Sequence, residues 1–314
     1  MQKWEKLNPG DVIDIIAPGY ATKPETVELA KEFLRSRNYV PRVPDDLLSP
    51  QYFHSNSDAV RLRHVKEALK AKDSKAVWCL RGGYGTNRLL PELARLQAPK
   101  KAKIFIGISD VTSLHLFLNQ SWKWCTLHAT LLDRPAEKRI DAKIVNETFD
   151  ILSGERREIS FAGLRALNPK AVKVARKKAV LVGGNLTTLQ SAIGTPWSIK
   201  TAGRFLFLED LGERGYRIDR MLEHLKQAGR LKSCAGILLG QFVGGDEPTS
   251  QNGVAVNRVN EALQRFADEN PSLPVWSGVE SGHGDILRAL PLGTSAMVKQ
   301  VNGVITLSVE TGGR

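Results

Sequence analysis

What most constrains this chain is an alternation running through residues 1–120: a short apolar run, a break, then an amphipathic helical pattern. Val12-Ile13-Asp14-Ile15-Ile16-Ala17 stops at Pro18-Gly19, and past Pro24 the residues Val27, Ala30, Phe33 and Leu34 share one helical face. Tyr39 to Val43 reads as a short strand whose internal proline suits a sheet edge, and a helix from Asp58 to Lys70 follows it. Ala76 to Leu80 leads into Arg81-Gly82-Gly83-Tyr84-Gly85 and then a helix through Leu89, Leu90 and Leu93. Lys103 to Ile106 leads into Gly107-Ile108-Ser109-Asp110 and a helix through Val111, Leu114 and Leu118. Strand–helix–strand repeats of this length force crossover connections, so the sheet is mainly parallel and covered on both faces. Ligands of such sheets bind beyond the carboxyl ends of the strands. The glycine-rich turn and Ser109 both fall there.

The rest of the chain reads differently. A helix around Ile140 to Leu152 closes at Gly154, and from Ser153 to Lys178 the periodicity fades while basic residues gather. A basic linker over 153–178 is therefore expected, between an amino-terminal α/β domain (1–152) and a carboxyl-terminal domain (179–314). In the latter, Lys178–Val182, Arg204–Leu208 and Gly236–Leu239 are strands. Ile218, Met221, Leu222 and Leu225 mark one helix, and Val256, Val259, Leu263 and Phe266 another. Asn302-Gly303 between two alternating runs is a type I′ hairpin signal. The fold class is α/β: a mainly parallel sheet domain followed by a smaller, β-rich mixed domain.

Composition removes several functions. With 45 Lys and Arg against 33 Asp and Glu the net charge is +12, which invites a nucleic-acid reading. Much of the excess, however, is Arg165, Lys170, Lys173, Arg176, Lys177 and Lys178, a run without the interleaved aromatics that stack on bases. The charge pattern thus argues against a non-catalytic nucleotide or nucleic-acid module as the function. Three scattered cysteines give neither a disulfide framework nor a zinc pattern. No apolar run nears the roughly 18 residues that span a bilayer, and the amino end lacks a signal-peptide block, so a cytoplasmic protein without membrane attachment is expected.

Four stretches could carry chemistry. At Ser109 a strand, a tight turn and a helix start meet, placing a hydroxyl near unpaired N–H groups; serine and aspartate here also fit a helix cap. Arg81 to Gly85 lacks the Lys-Ser/Thr ending of a phosphate loop, and Arg88 stands where a dinucleotide fingerprint needs glycine. Its N–H groups suit an oxyanion hole or a plain structural turn. Glu209 ends an apolar strand and is followed by Asp210. Of six histidines, His283 stands apart: it lies in Glu280-Ser281-Gly282-His283-Gly284 just after the strand Val275–Val279, in a loop able to present an imidazole.

Taken in order, Arg81-Gly82-Gly83-Tyr84-Gly85, Gly107-Ile108-Ser109-Asp110-Val111-Thr112, Gly183-Gly184-Asn185-Leu186, Gly194-Thr195-Pro196, Leu208-Glu209-Asp210 and Gly282-His283-Gly284 resemble the LD-carboxypeptidase family of serine peptidases. That family includes muramoyltetrapeptide carboxypeptidases and microcin-C immunity peptidases. The resemblance implies Ser109 as nucleophile, His283 as general base and Glu209 as the residue orienting it. It implies an oxyanion hole from the backbone N–H groups of Gly83 and Asp110, a flavodoxin-like amino domain and a homodimer. Neither metal nor cofactor is needed. The implied substrate is a small murein tetrapeptide losing its terminal D-alanine, in cell-wall recycling; the alternative is a microcin-C-type peptidase acting on an adenylate. Two departures touch substrate fit: Gly19 where serine is common, and His128-Ala129-Thr130 in place of His-Gly-Pro. Arg81 or Arg88 could pair with the substrate carboxylate.

Overall fold

The computed structural model describes residues 1–248 and 255–313. The chain divides into two compact units. The first comprises Met1–Arg157, Leu287–Thr294 and Thr311–Arg314; the second comprises Glu158–Ile286 and Ser295–Glu310.

The first unit is built on a six-stranded sheet. Strands β1 (Val12–Ile16), β2 (Val40–Arg42), β3 (Ser74–Cys79), β4 (Ile104–Gly107) and β5 (Thr126–His128) run parallel in the order β2-β1-β3-β4-β5, the flavodoxin-like arrangement. Leu290–Leu292 joins the far edge antiparallel, with Leu290 opposite His128. Helices Pro24–Ser36, Asp58–Lys70, Thr112–Phe117 and Ala142–Leu152 belong to this unit. The central strands are apolar runs because both faces are covered: every residue of β4 is buried, as are Ala76 to Cys79 in β3. The strand order reverses between β1 and β3. The crevice outside their carboxyl ends is the ligand position for this topology.

The second unit is a closed barrel. Strands β6 (Glu158–Ala166), β7 (Arg176–Asn185), β8 (Arg204–Leu211), β9 (Gly236–Val243), β12 (Val275–Gly282), β14 (Ser295–Val301) and β15 (Val304–Glu310) close in the order β12-β6-β15-β14-β7-β8-β9. Strands β10 (Asp246–Pro248) and β11 (Ala255–Asn257) pair separately, and Leu290–Leu292 is β13. Strands β7, β8, β9 and β12 are mutually parallel, whereas β6, β14 and β15 pair antiparallel. Phe205, Leu206, Phe207 and Leu208 are all fully buried in β8, against which the helix Leu186–Ser191 packs. The β14–β15 hairpin turns at Asn302 and Gly303, both at positive φ (49° and 79°), as a type I′ turn requires.

Two expectations need correction. The stretch 153–178 is not a linker: β6 spans 158–166 as a barrel wall, and β7 already begins at Arg176. Its alternation is hard to see because only Ile159, Phe161 and Leu164 point inward, and the spacing slips at Gly163 (φ +77°), where the β6–β15 register shifts. The second correction concerns the carboxyl-terminal third. Residues 287–294 and 311–314 belong to the first unit, so 179–314 is not one continuous domain.

Candidate active site

Ser109 occupies the sharpest turn of the first unit. After β4 ends at Gly107, Ile108 is extended (φ −148°, ψ 173°), and Ser109 turns to φ +71° as the first residue of a 3-10 turn, Ser109–Val111, that feeds the helix Thr112–Phe117. The N-cap is Ile108 and no side chain caps this turn, so the capping role open to Ser109 is not used. A positive φ is unfavourable for a residue with a Cβ, and a half-buried serine held there stores local strain. Gly107 makes the turn possible: a Cβ there would lie 2.8 Å from Val111 Cγ1.

The glycine-rich turn lies alongside. A Cβ on Gly82 would sit 3.0 Å from Ser109 Cβ and 3.3 Å from its Oγ, so only glycine lets the two backbones approach this closely. At Gly83 (φ +102°) a Cβ would enter the Tyr20 ring, 2.2 Å from its Cγ. Tyr20 N–H donates to the Gly82 carbonyl at 2.8 Å. Because the peptide is planar and trans, the Gly83 N–H points in that plane in the direction opposite to the Gly82 carbonyl, away from Tyr20 N–H. The Asp110 side chain is buried and locks this turn to the serine turn: its carboxylate accepts from Thr86 N–H at 2.9 Å, and its carbonyl accepts from the Thr86 hydroxyl. Burial pushes the Asp110 carboxyl above the ordinary range, against the opposing effect of those donors. The fully buried Arg61 guanidinium donates to the carbonyls of Pro18 and Gly85, joining the ends of β1 and β3. Nothing in a polar helical stretch marked that arginine in advance.

In the second unit Glu209 and His283 come together. Glu209 lies in β8 with no exposed surface, and its Oε2 is 2.6 Å from His283 Nδ1. A carboxylate only accepts, so Nδ1 carries the proton and donates it, leaving Nε2 as the basic nitrogen. Among the described residues Glu209 Oε1 has no hydrogen-bond partner. β12 is longer than the sequence indicates, running to Gly282, and His283 follows directly. The glycines on either side have separate reasons: Gly282 takes φ +138°, while a Cβ on Gly284 would lie 2.6 Å from Gln241 Oε1, which accepts the Gly284 N–H at 2.9 Å. Asp210 is occupied elsewhere. It accepts from Asn185 Nδ2, Thr187 N–H, Thr187 Oγ1 and Leu211 N–H, at 2.8–2.9 Å, and so fixes the start of the helix Leu186–Ser191. Burial, then the neighbouring Glu209 charge, push its carboxyl up to about 6.

The remaining candidates have structural places. Arg88 is tied to Asp58 at 2.7 Å, whereas Arg81 is exposed. His64 pairs with Asp46 at 2.8 Å, and His115 Nε2 donates to the Gly107 carbonyl at 2.9 Å while burial holds its imidazole down to about 4. Cys79 and Cys125 are buried thiols whose pKa values burial raises. Among the described residues no helix is long and apolar enough to cross a membrane, and no group of three or more His, Cys, Asp or Glu could hold a metal.

Comparison with known proteins covers both units. Residues 13–129 match the LD-carboxypeptidase N-terminal domain and residues 178–298 its C-terminal domain. The Bacillus subtilis protein named probable murein peptide carboxypeptidase is 31% identical over 99% of this chain and 96% of its own. The murein tetrapeptide carboxypeptidase of Pseudomonas aeruginosa is 28% identical, over 95% of each chain. Among solved structures, the muramoyltetrapeptide carboxypeptidase of Oxalobacter formigenes superposes with a TM-score of 0.82 at 30% identity, covering 95% of this chain and 98% of that one.

Proposed function

The chain belongs to the LD-carboxypeptidase family of enzymes, and from that premise we propose that it removes the terminal D-alanine from murein tetrapeptides by a serine mechanism. In this reading His283 Nε2 takes the Ser109 proton, and the alkoxide attacks the carbonyl before D-alanine. The Gly83 and Asp110 N–H groups hold the oxyanion, and the imidazolium returns its proton to the leaving amine. D-Alanine departs, and water activated by the same imidazole releases the acyl group from Ser109. Glu209 keeps the imidazole in the required tautomer and stabilises its cation. Asp210, with its oxygens committed to four donors, has no such part. Family likeness extends the proposal to a cytoplasmic homodimer acting in murein recycling.

The observation that carries the reading is the strained serine. Ser109 stands at φ +71° against a glycine whose missing side chain leaves its hydroxyl uncovered, an arrangement that folding alone gives no reason to keep. The test is release of D-alanine from a murein tetrapeptide by the wild type and by Ser109→Ala. The variant should keep its far-ultraviolet circular dichroism and lose about four to six orders of magnitude in kcat/KM. Near-normal turnover by Ser109→Ala would rule out the assignment.

A further inference from the structure

A row of aromatic rings stands at the same carboxyl edge of the sheet as Ser109. Tyr52 is 99% exposed, Phe53 50% and Tyr84 39%, whereas rings of this size are ordinarily shielded. They are held out by built structure. Gln51 and His54 exchange N–H to carbonyl bonds at 3.2 and 3.0 Å, closing a turn with Tyr52 at φ +55°. That turn is bound to the segment after β1: Ser55 N–H donates to the Gly19 carbonyl at 3.0 Å and Ala21 N–H to the Phe53 carbonyl at 3.3 Å. The Tyr20 ring in that segment lies against Gly83. From Tyr20 the row continues to Phe53 at 5.6 Å between ring centroids, and from Phe53 to Tyr84 at another 5.6 Å. His54 packs its ring edge-on to Phe53 at 4.6 Å; burial, then the nearby Arg61 charge, lower its pKa.

We propose that Tyr20, Phe53 and Tyr84, with Tyr52 at the rim, form a subsite that stacks against the pyranose ring of a sugar joined to the peptide substrate. The inference rests on the carboxypeptidase reading above and deepens it. Tilted aromatic faces offer the C–H face of a pyranose a π-surface, while phenolic hydroxyls at the rim can meet its hydroxyl groups. Three residues of extended peptide span about 10 Å, so a sugar at the amino end of a tetrapeptide bound at Ser109 lies about that far from the scissile carbonyl, a distance that two 5.6 Å ring steps match. A flat aliphatic patch would favour any apolar group. A polar-edged aromatic row selects for a ring with one apolar face.

The experiment compares kcat/KM for the free tetrapeptide and for N-acetylmuramoyl-tetrapeptide. With aromatic contacts contributing as they do elsewhere, the sugar-linked substrate should be favoured about 10-fold. Phe53→Ala and Tyr52→Ala, both at exposed positions, should each reduce that ratio to below about 3, and Phe53→Trp should restore it. A ratio near one in the wild type overturns the proposal. So does an advantage that survives both alanine substitutions, or competitive inhibition by adenosine monophosphate that Phe53→Ala relieves. Titration with N-acetylmuramoyl-L-alanine, which has no scissile bond, separates the two readings. If neither tetrapeptide releases D-alanine yet this compound shifts the ring-proton resonances of Phe53 and Tyr84, the subsite stands and the peptidase reading fails. Unmoved ring resonances end the subsite, whatever the hydrolysis assay gives.

Discussion

The two units meet the demands of chemistry by opposite physical means. In the first, the candidate nucleophile follows a wholly buried parallel strand, and the unfavourable feature is a dihedral: Ser109 at φ +71°. In the second, Glu209 sits in regular strand, and the unfavourable feature is electrostatic: a carboxylate with no exposure, one oxygen held by His283 and the other without a partner among the described residues. A nucleophile must project its oxygen towards an incoming carbonyl, which a sharp turn at a strand end achieves and a strand interior does not. An orienting carboxylate needs the reverse, since its hold on an imidazole strengthens where water is excluded. Each unit gives up stability at the place where the proposed mechanism asks for it.

Three measurements break or sharpen that contrast. Largest is Glu209→Gln: the amide accepts or donates at either position, so the imidazole tautomer is no longer fixed, and kcat/KM should fall by about three to four orders of magnitude. Urea unfolding of the same variant should show no loss of stability, because a sealed charge has been removed; a large loss would mean the carboxylate is structural.

Next comes pH. His115, in the first unit, is held near 4 when folded against 6.5 for an ordinary histidine, so its contribution is present above pH 6.5 and lost as pH falls through 4. Asp210, in the second, is raised to about 6 from 3.8, so its contribution is present below 3.8 and lost as pH rises through 6. The two slopes have opposite sign, each worth up to about 3 kcal/mol. Amide exchange protection between pH 4 and 6.5 should therefore rise with pH in the helix Thr112–Phe117 and fall in β8, and His115→Gln or Asp210→Asn should flatten the slope in its own unit alone. Slopes of one sign in both units would overturn the contrast.

Smallest is Ser109→Gly, compared with Ser109→Ala. Glycine relaxes the positive φ that alanine retains, so the glycine variant should be the more stable by about 1 kcal/mol in urea titration. Equal stabilities would mean that the turn carries no strain.

The same contrast explains how much of the molecule was legible beforehand. Strands β1, β3 and β4 could be read directly, because burial on both faces leaves apolar runs, interrupted in β1 only by Asp14, with glycine or proline close behind them. β6 could not, since half its residues face solvent and a bulge at Gly163 shifts its register. Ser109, Glu209 and His283 stood out because each follows or ends an apolar run beside glycine or another acidic residue. Gly82 was harder: Gly83 was singled out, yet it is Gly82 whose absent side chain makes room for the serine hydroxyl. Tyr20 and Arg61 left no sign at all. Arg61 pairs locally with Asp58, but the Pro18 and Gly85 carbonyls it reaches, and the Gly83 that Tyr20 packs on, are distant in the chain, and such contacts follow from topology, not from local pattern.

The antiparallel strand Leu290–Leu292 has a consequence for how the molecule is made. The polypeptide passes from one unit to the other four times, and β13 reaches its place beside β5 only after the barrel strands β6, β7, β8, β9 and β12 have been synthesised. Until the ribosome has nearly finished, β5 is an open edge, the kind of surface on which nascent chains pair wrongly. A gene fragment stopped at Arg157 therefore encodes a sheet with one border missing, and neither half is a separable building block.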